Sequence, residues 1–147
     1  KINVVATDIN PDATYNTQIN SQRLQIEDRL RVFNGNVLEG IPDDYLFDYI
    51  FWALPFGFVP ADQELSYEGM QVFDSGYKAI KQFFETAQAH LKPKGKLLVG
   101  YSSDLGNNML LHELAKHAGL KLKVLKKTYL KEEKKLRFEL MIGEYGS

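Results

Sequence analysis

The 147 residues are 44% apolar, 25% charged and 12% aromatic, the composition of a folded domain with one sizeable core rather than of a disordered or fibrous chain. With 18 Lys and Arg against 19 Asp and Glu the net charge is -1, which excludes a strong whole-molecule attraction to nucleic acid or an anionic membrane. The absence of cysteine excludes a disulfide framework, a thiolate metal site and a Cys nucleophile, and suits a reducing cytoplasm.

In chain order, the β-branched run Ile2 to Thr7 predicts a strand that stops at Asp8. Asn10-Pro11-Asp12 then supplies an N-cap, a helix-compatible Pro and an early acid. A helix is expected from Ala13 to Arg29, with Tyr15, Ile19 and Leu24 or Ile26 at roughly helical spacing. Arg31 to Phe33 reads as a second strand closing at Asn34-Gly35-Asn36, and Gly40-Ile41-Pro42-Asp43-Asp44 is a turn-rich link. Phe47 to Trp52 is an almost continuous apolar run, the pattern of a strand covered on both faces.

Ala53 to Ser66, with Pro55, Gly57 and Pro60, is irregular and long for a simple connection. Ser75 to Leu91 predicts a helix with apolar positions Tyr77, Ile80, Phe83, Phe84, Ala87 and Leu91, stopping at Lys92-Pro93-Lys94-Gly95. A strand over Lys96 to Tyr101 and a helix over Asn107 to Ala118 follow. Leu120 to Tyr129 and Leu136 to Tyr145 form a hairpin around Lys131-Glu132-Glu133-Lys134-Lys135. The order indicates an α/β fold, a mostly parallel sheet between helices with an antiparallel hairpin at the end. No apolar run reaches the roughly 18 residues of a membrane-spanning helix. The opening Lys1-Ile2-Asn3-Val4-Val5-Ala6 lacks a signal-peptide pattern, so neither a membrane anchor nor secretion is expected.

Ligands of open parallel sheets bind beyond the carboxyl ends of the strands, so Asp8, Asn36, Ala53 to Phe56 and Ser102 are the positions of interest. A carboxylate at Asp8 can accept from both hydroxyls of a ribose, or it can cap the following helix. Asn36 offers an amide for an adenine edge, or it is a turn residue that tolerates left-handed backbone. Pro55-Phe56 sets an aromatic face on a rigid turn, suited to a flat group, or Phe56 lids the core.

Four stretches together carry a resemblance. They are Val4-Val5-Ala6-Thr7-Asp8-Ile9-Asn10-Pro11, Gly35-Asn36-Val37, Phe47-Asp48-Tyr49-Ile50-Phe51-Trp52-Ala53-Leu54-Pro55-Phe56 and Leu91-Lys92-Pro93-Lys94-Gly95-Lys96-Leu97-Leu98-Val99. Over nearly its whole length the chain is similar to class I S-adenosylmethionine-dependent methyltransferases, with a Rossmann-like sheet. Within them it is most similar to the group that includes release-factor glutamine methyltransferases and amino-directed RNA methyltransferases. The resemblance implies S-adenosylmethionine as cofactor, an RNA or protein nitrogen as acceptor, Asp8 on the ribose, Ile9 against the adenine, and Asn36 with Val37 at the adenine edge. It implies a catalytic segment at Ala53, Pro55 and Phe56, where the family has Asn-Pro-Pro-Tyr or Asn-Pro-Pro-Phe. Ala53 stands in place of the Asn, and an alanine side chain accepts no hydrogen bond. Methylation of a pyrimidine carbon, which in this family needs a Cys, is excluded.

The family's first strand and its Gly-rich loop have no counterpart in this sequence. In the family that strand is central, between those ending here at Asp8 and Ala53. The expectation is a single methyltransferase-like domain, residues 1–147, lacking an N-terminal portion.

The other candidates are weaker. His90, His112 and His117 share no helix face, so no metal site is expected. Ser102-Ser103-Asp104 has no nucleophile elbow around it and reads as a cap for the next helix. Residues 116–147 hold 9 basic and 4 acidic residues, a net of +5, which suits either contact with phosphate or a lysine-protected sheet edge. Two other classes stay open. A nicotinamide-dependent oxidoreductase would share Asp8 but not the terminal hairpin, and a non-catalytic relative would explain Ala53 and the absent loop.

Overall fold

The computed structural model describes residues 2–129 and 136–146, and the chain divides into two compact units, Lys1–Tyr45 and Leu46–Ser147. The charged segment Lys131 to Lys135 of the expected hairpin lies outside the described residues.

In the first unit β1 (Val4–Asp8) pairs in parallel with β2 (Leu30–Asn34), in the register Val4 to Leu30 through Asp8 to Asn34. Helix α1 (Pro11–Arg23) connects them. It starts as expected, because the Asn10 side chain accepts the Asp12 N–H at 2.9 Å and Pro11 takes a position that needs no donor. The expected apolar stripe is not its buried face. Tyr15 and Leu24 are exposed, and the helix buries Thr14 and Ser21 instead. Their hydroxyls donate to the carbonyls of Pro11 and Gln18, so the polar groups are satisfied within the helix. The chain leaves α1 at Arg23, six residues before the expected end, through Gln25 at φ +54. Among the described residues no helix forms between β2 and residue 46.

The second unit is built on a four-stranded sheet in the order β3 (Phe47–Ala53), β6 (Leu91–Tyr101), β8 (Arg137–Tyr145), β7 (Leu120–Tyr129). β3 and β6 are parallel, and β8 runs antiparallel to both β6 and β7, so the mixed sheet with its terminal hairpin matches the expectation. Helices α3 (Lys78–Thr86) and α4 (Asn108–His117) bury Ile80, Phe83, Phe84, Leu111 and Ala115 in a core shared with Leu97, Val99 and Met141. Trp52 meets Phe83 edge to face at 5.0 Å. α3 begins at a buried carboxylate. Asp74 Oδ1 accepts the Ala79 N–H at 3.2 Å and Oδ2 accepts the Ile80 N–H at 2.9 Å, satisfying two donors that the helix leaves open.

Burial nevertheless dominates at Asp74 and raises its carboxyl above the usual range. The folded state therefore holds this proton more tightly than the unfolded chain. That contribution to stability is complete below the unfolded carboxylate range and is lost as pH rises through the raised folded value. Comparing urea unfolding of the wild type with Asp74→Asn across acidic to neutral pH, the wild type should lose stability relative to the variant as pH rises. A constant difference would contradict the burial effect.

Four details depart from the sequence expectation. The helix expected over Ser75 to Leu91 is α3 over Lys78–Thr86 with a 3-10 turn at Ala87–His90 after it, because Ser75 is drawn into a short strand and Leu91 into β6. β3 is not covered on both faces: Ile50 is buried, but Tyr49 and Phe51 are 66% and 61% exposed. Alternate residues of a strand point to opposite faces, and only the side facing α3 is packed. β6 begins at Leu91 rather than Lys96. A register shift between Phe47 and Tyr49 takes up Lys92 to Gly95, so Pro93 sits where no ladder donor is needed. The irregular stretch after Ala53 holds two short parallel strands, β4 (Gly57–Val59) and β5 (Phe73–Ser75), and a four-residue helix α2 (Tyr67–Met70).

Candidate cofactor and acceptor sites

The ends of β1 and β2 bring Asp8, Ile9, Asn36 and Val37 into one region of the first unit. Asp8 is exposed at the carboxyl end of β1. Its Oδ1 accepts the Asn10 N–H at 2.8 Å, which holds the carboxylate over the start of α1. No hydrogen bond among the described residues engages Oδ2. Asp8 thus braces the turn before α1 with one oxygen, while the helix cap itself is Asn10.

Asn34, which the sequence did not single out, fixes that turn. Its side-chain amide donates to the Asp8 and Ile9 carbonyls at 3.0 and 3.2 Å, while the Gly35 N–H donates to the Asp8 carbonyl at 3.0 Å. The chain then curls back sharply. A Cβ at Gly35 would lie 1.9 Å from the Glu39 carbonyl oxygen, so only glycine allows this loop. Asn36 is half-buried in it, and its carbonyl accepts the Glu39 N–H. Val37 stands at φ +54, a left-handed conformation that costs a β-branched residue roughly 1–3 kcal/mol. Strain of this kind persists where the surrounding loop enforces it.

These groups fit the ribose and adenine parts of a nucleoside cofactor. Asp8 supplies an acceptor for hydroxyl donors at a strand end, and the Asn36 loop supplies a polar edge beside it. No metal-holding group of three or more His, Asp or Glu side chains occurs among the described residues.

In the second unit Ala53 ends β3 exposed, Leu54 and Pro55 are buried, and Phe56 is half-buried. The Leu54 N–H donates to the Gly100 carbonyl, so the turn stays attached to β6 beyond the strand proper. The Phe56 ring meets Phe138 edge to face at 6.4 Å. Its carbonyl accepts from the hydroxyl of Tyr77, a residue at φ +52 with no exposed surface. The sequence pattern registered Tyr77 only as the first apolar position of a helix. A buried tyrosine hydroxyl requires partners, and that was the available signal.

Ser102-Ser103-Asp104 does not cap α4. Asn107 does, accepting the Leu110 N–H at 3.1 Å. Ser102 and Asp104 instead face β8: the Ser102 hydroxyl donates to the Arg137 carbonyl, and Asp104 accepts from the Arg137 guanidinium at 2.8 Å and from its backbone N–H at 2.9 Å. A charged fork outcompetes a cap when a strand begins with Arg beside it. Lys121, Lys123, Lys126 and Lys127 are exposed on the outer strand β7. Glu139 lies 3.7 Å from Lys127 and from Arg137, and the Glu144 carboxylate accepts from Lys96 at 2.5 Å, so the hairpin carries its own counter-charges.

No protein-family model matches the sequence. A release factor glutamine methyltransferase of Aquifex aeolicus is 29% identical over 135 residues, covering 86% of this chain and 46% of that protein. Among solved structures, a methyltransferase from Pyrococcus furiosus has a TM-score of 0.61 at 21% identity, covering 98% of this chain and 64% of its own. The M1A22 tRNA methyltransferase TrmK of B. subtilis has a TM-score of 0.62 at 16% identity, covering 99% of this chain and 50% of its own. The chain thus spans about half the length of the curated relative it matches. The chain therefore has the fold of S-adenosylmethionine-dependent methyltransferases and is similar in sequence to one of them, a release factor glutamine methyltransferase.

Proposed function

We propose that this chain takes part in methyl transfer from S-adenosylmethionine to a nitrogen of RNA or protein, as a single methyltransferase-like domain of residues 1–147. The observation that carries this reading is Asp8, a carboxylate at the end of a parallel strand with one oxygen committed to the turn and the other open. When bound, S-adenosylmethionine supplies an electrophilic methyl group on a sulfonium. The protein's part is then to bind, align and exclude water rather than to supply a strong base. Asp8 accepts from the ribose hydroxyls, Ile9 packs on the adenine, and Asn36 with Val37 meets the adenine edge. Pro55 stiffens the turn that presents Phe56, whose ring holds the acceptor group flat. Ala53 has no side-chain acceptor, so the hydrogens of the nitrogen fall to backbone carbonyls of the turn.

The test is transfer of labelled methyl from S-adenosylmethionine to unmodified tRNA and, separately, to purified release factor. Phe56→Ala should lower turnover by about 10²-fold through misalignment, while the cofactor dissociation constant from calorimetry stays within about twofold. An equal loss of cofactor affinity would remove Phe56 from the acceptor role. The missing acceptor at Ala53 favours a second reading, a cofactor-binding or scaffolding relative without turnover. Cofactor binding with no transfer to either acceptor would select it.

A further inference from the structure

One phenol oxygen ties the turn after β3 to the rest of the second unit. The Tyr77 hydroxyl lies 2.5 Å from the Phe56 carbonyl, 3.0 Å from the Tyr101 hydroxyl and 2.9 Å from the Asn107 backbone nitrogen. A phenol has one hydrogen to give and two lone pairs to fill. The Phe56 carbonyl can only accept, so the Tyr77 hydrogen is committed to it. The Asn107 N–H can only donate and fills one lone pair. The remaining lone pair must then accept from Tyr101, which fixes the direction of every bond in the group. Burial, reinforced by its contact with Tyr77, pushes the Tyr101 phenol far above its ordinary value, so this donor keeps its proton.

Three element ends therefore meet at this oxygen: Tyr101 closes β6, Asn107 caps α4, and Tyr77 precedes α3. Packing alone does not account for the arrangement, because phenylalanine would fill the same volume as Tyr77 without needing three polar partners. Backbone preference opposes it, since φ +52 is costly for a tyrosine. The space around the group is also cleared. A Cβ at Gly106 would lie 2.1 Å from the Tyr101 hydroxyl and 2.8 Å from the Phe56 carbonyl oxygen.

We propose that Tyr77, backed by Tyr101, is a positioning residue that fixes the Phe56 carbonyl and thereby the direction in which the Phe56 ring meets the methyl acceptor. This rests on the methyl-transfer reading above and adds to it two residues that touch neither cofactor nor acceptor.

Phe56-Gly57 is the only Phe-Gly pair in the sequence, so carbonyl-¹³C phenylalanine with ¹⁵N glycine gives one correlated amide signal that reports on the Phe56 carbonyl alone. In Tyr77→Phe this carbonyl resonance should move upfield as its hydrogen bond is lost. The kcat for labelled-methyl transfer to tRNA or release factor should fall by about 10²-fold, with the KM for S-adenosylmethionine within about twofold. Tyr101→Phe leaves the Tyr77 bond in place and removes only its support, so both effects should be smaller, about tenfold in kcat. If Tyr77→Phe does not fold, Tyr101→Phe carries the same test. An unmoved carbonyl signal, or a moved one with unchanged kcat, overturns the positioning role while leaving methyl transfer intact. Wild-type protein that transfers no methyl to either acceptor overturns the methyl-transfer reading, and the positioning role with it.

Discussion

Phe84→Ala should lower the free energy of unfolding by about 3–5 kcal/mol, the range for truncating a large aromatic in a closed core. Phe84 has no exposed surface and lies between Phe83, at 6.1 Å centroid distance, and the core of the sheet. Its carbonyl accepts from the Tyr145 hydroxyl, whose phenol is pushed up to about 12 by burial, so the helix backbone there is bonded to β8 and cannot simply collapse into the cavity. Urea unfolding followed by Trp52 fluorescence measures the loss. Trp52 is the only tryptophan and reports on this core through its contact with Phe83. Met109→Ala, at a residue 72% exposed on α4, should stay within about 0.5 kcal/mol. A similar loss in both variants would mean that the helices do not pack as described.

Asp8→Ala should weaken S-adenosylmethionine binding by roughly 10- to 150-fold, the equivalent of about 1.5–3 kcal/mol for hydrogen bonds to a charged group. Asp8→Asn is the more instructive variant. It retains an oxygen for the Asn10 N–H and so keeps the turn, but it loses the charge and the second acceptor. Calorimetry should place it between the wild type and the alanine variant. If both variants bind as the wild type does, Asp8 holds no ligand and its role ends with the turn.

What could be read in the sequence was local. The start of α1 at Asn10-Pro11 follows from two adjacent residues, and the buried positions Ile80, Phe83 and Phe84 follow from spacing within one helix. The pairing of β7 with β8 follows from two alternating runs close in sequence. What could not be read depends on partners far along the chain. A continuous apolar run does not say which face will be covered, and so the exposure of Tyr49 and Phe51 was missed. The pairing of Gly57–Val59 with Phe73–Ser75 spans an irregular stretch without a pattern of its own. The same division holds at the site. The position of Asp8 at the end of a strand was legible from the run before it, and that of Asn36, two residues beyond the end of β2, from the turn residues around it. Asn34 reaches back 26 residues to Asp8, and Tyr77 reaches 21 residues to Phe56 and 24 to Tyr101, so their roles exist only once the elements are assembled.

The four-stranded sheet has two outer strands of opposite character. β7 lines its free side with lysines, whose mutual repulsion and hydration keep another strand from adding there. β3 at the other side is parallel to β6 and bears the exposed rings of Tyr49 and Phe51 beside the charge of Asp48, so the margin a further strand would have to match is largely apolar rather than cationic.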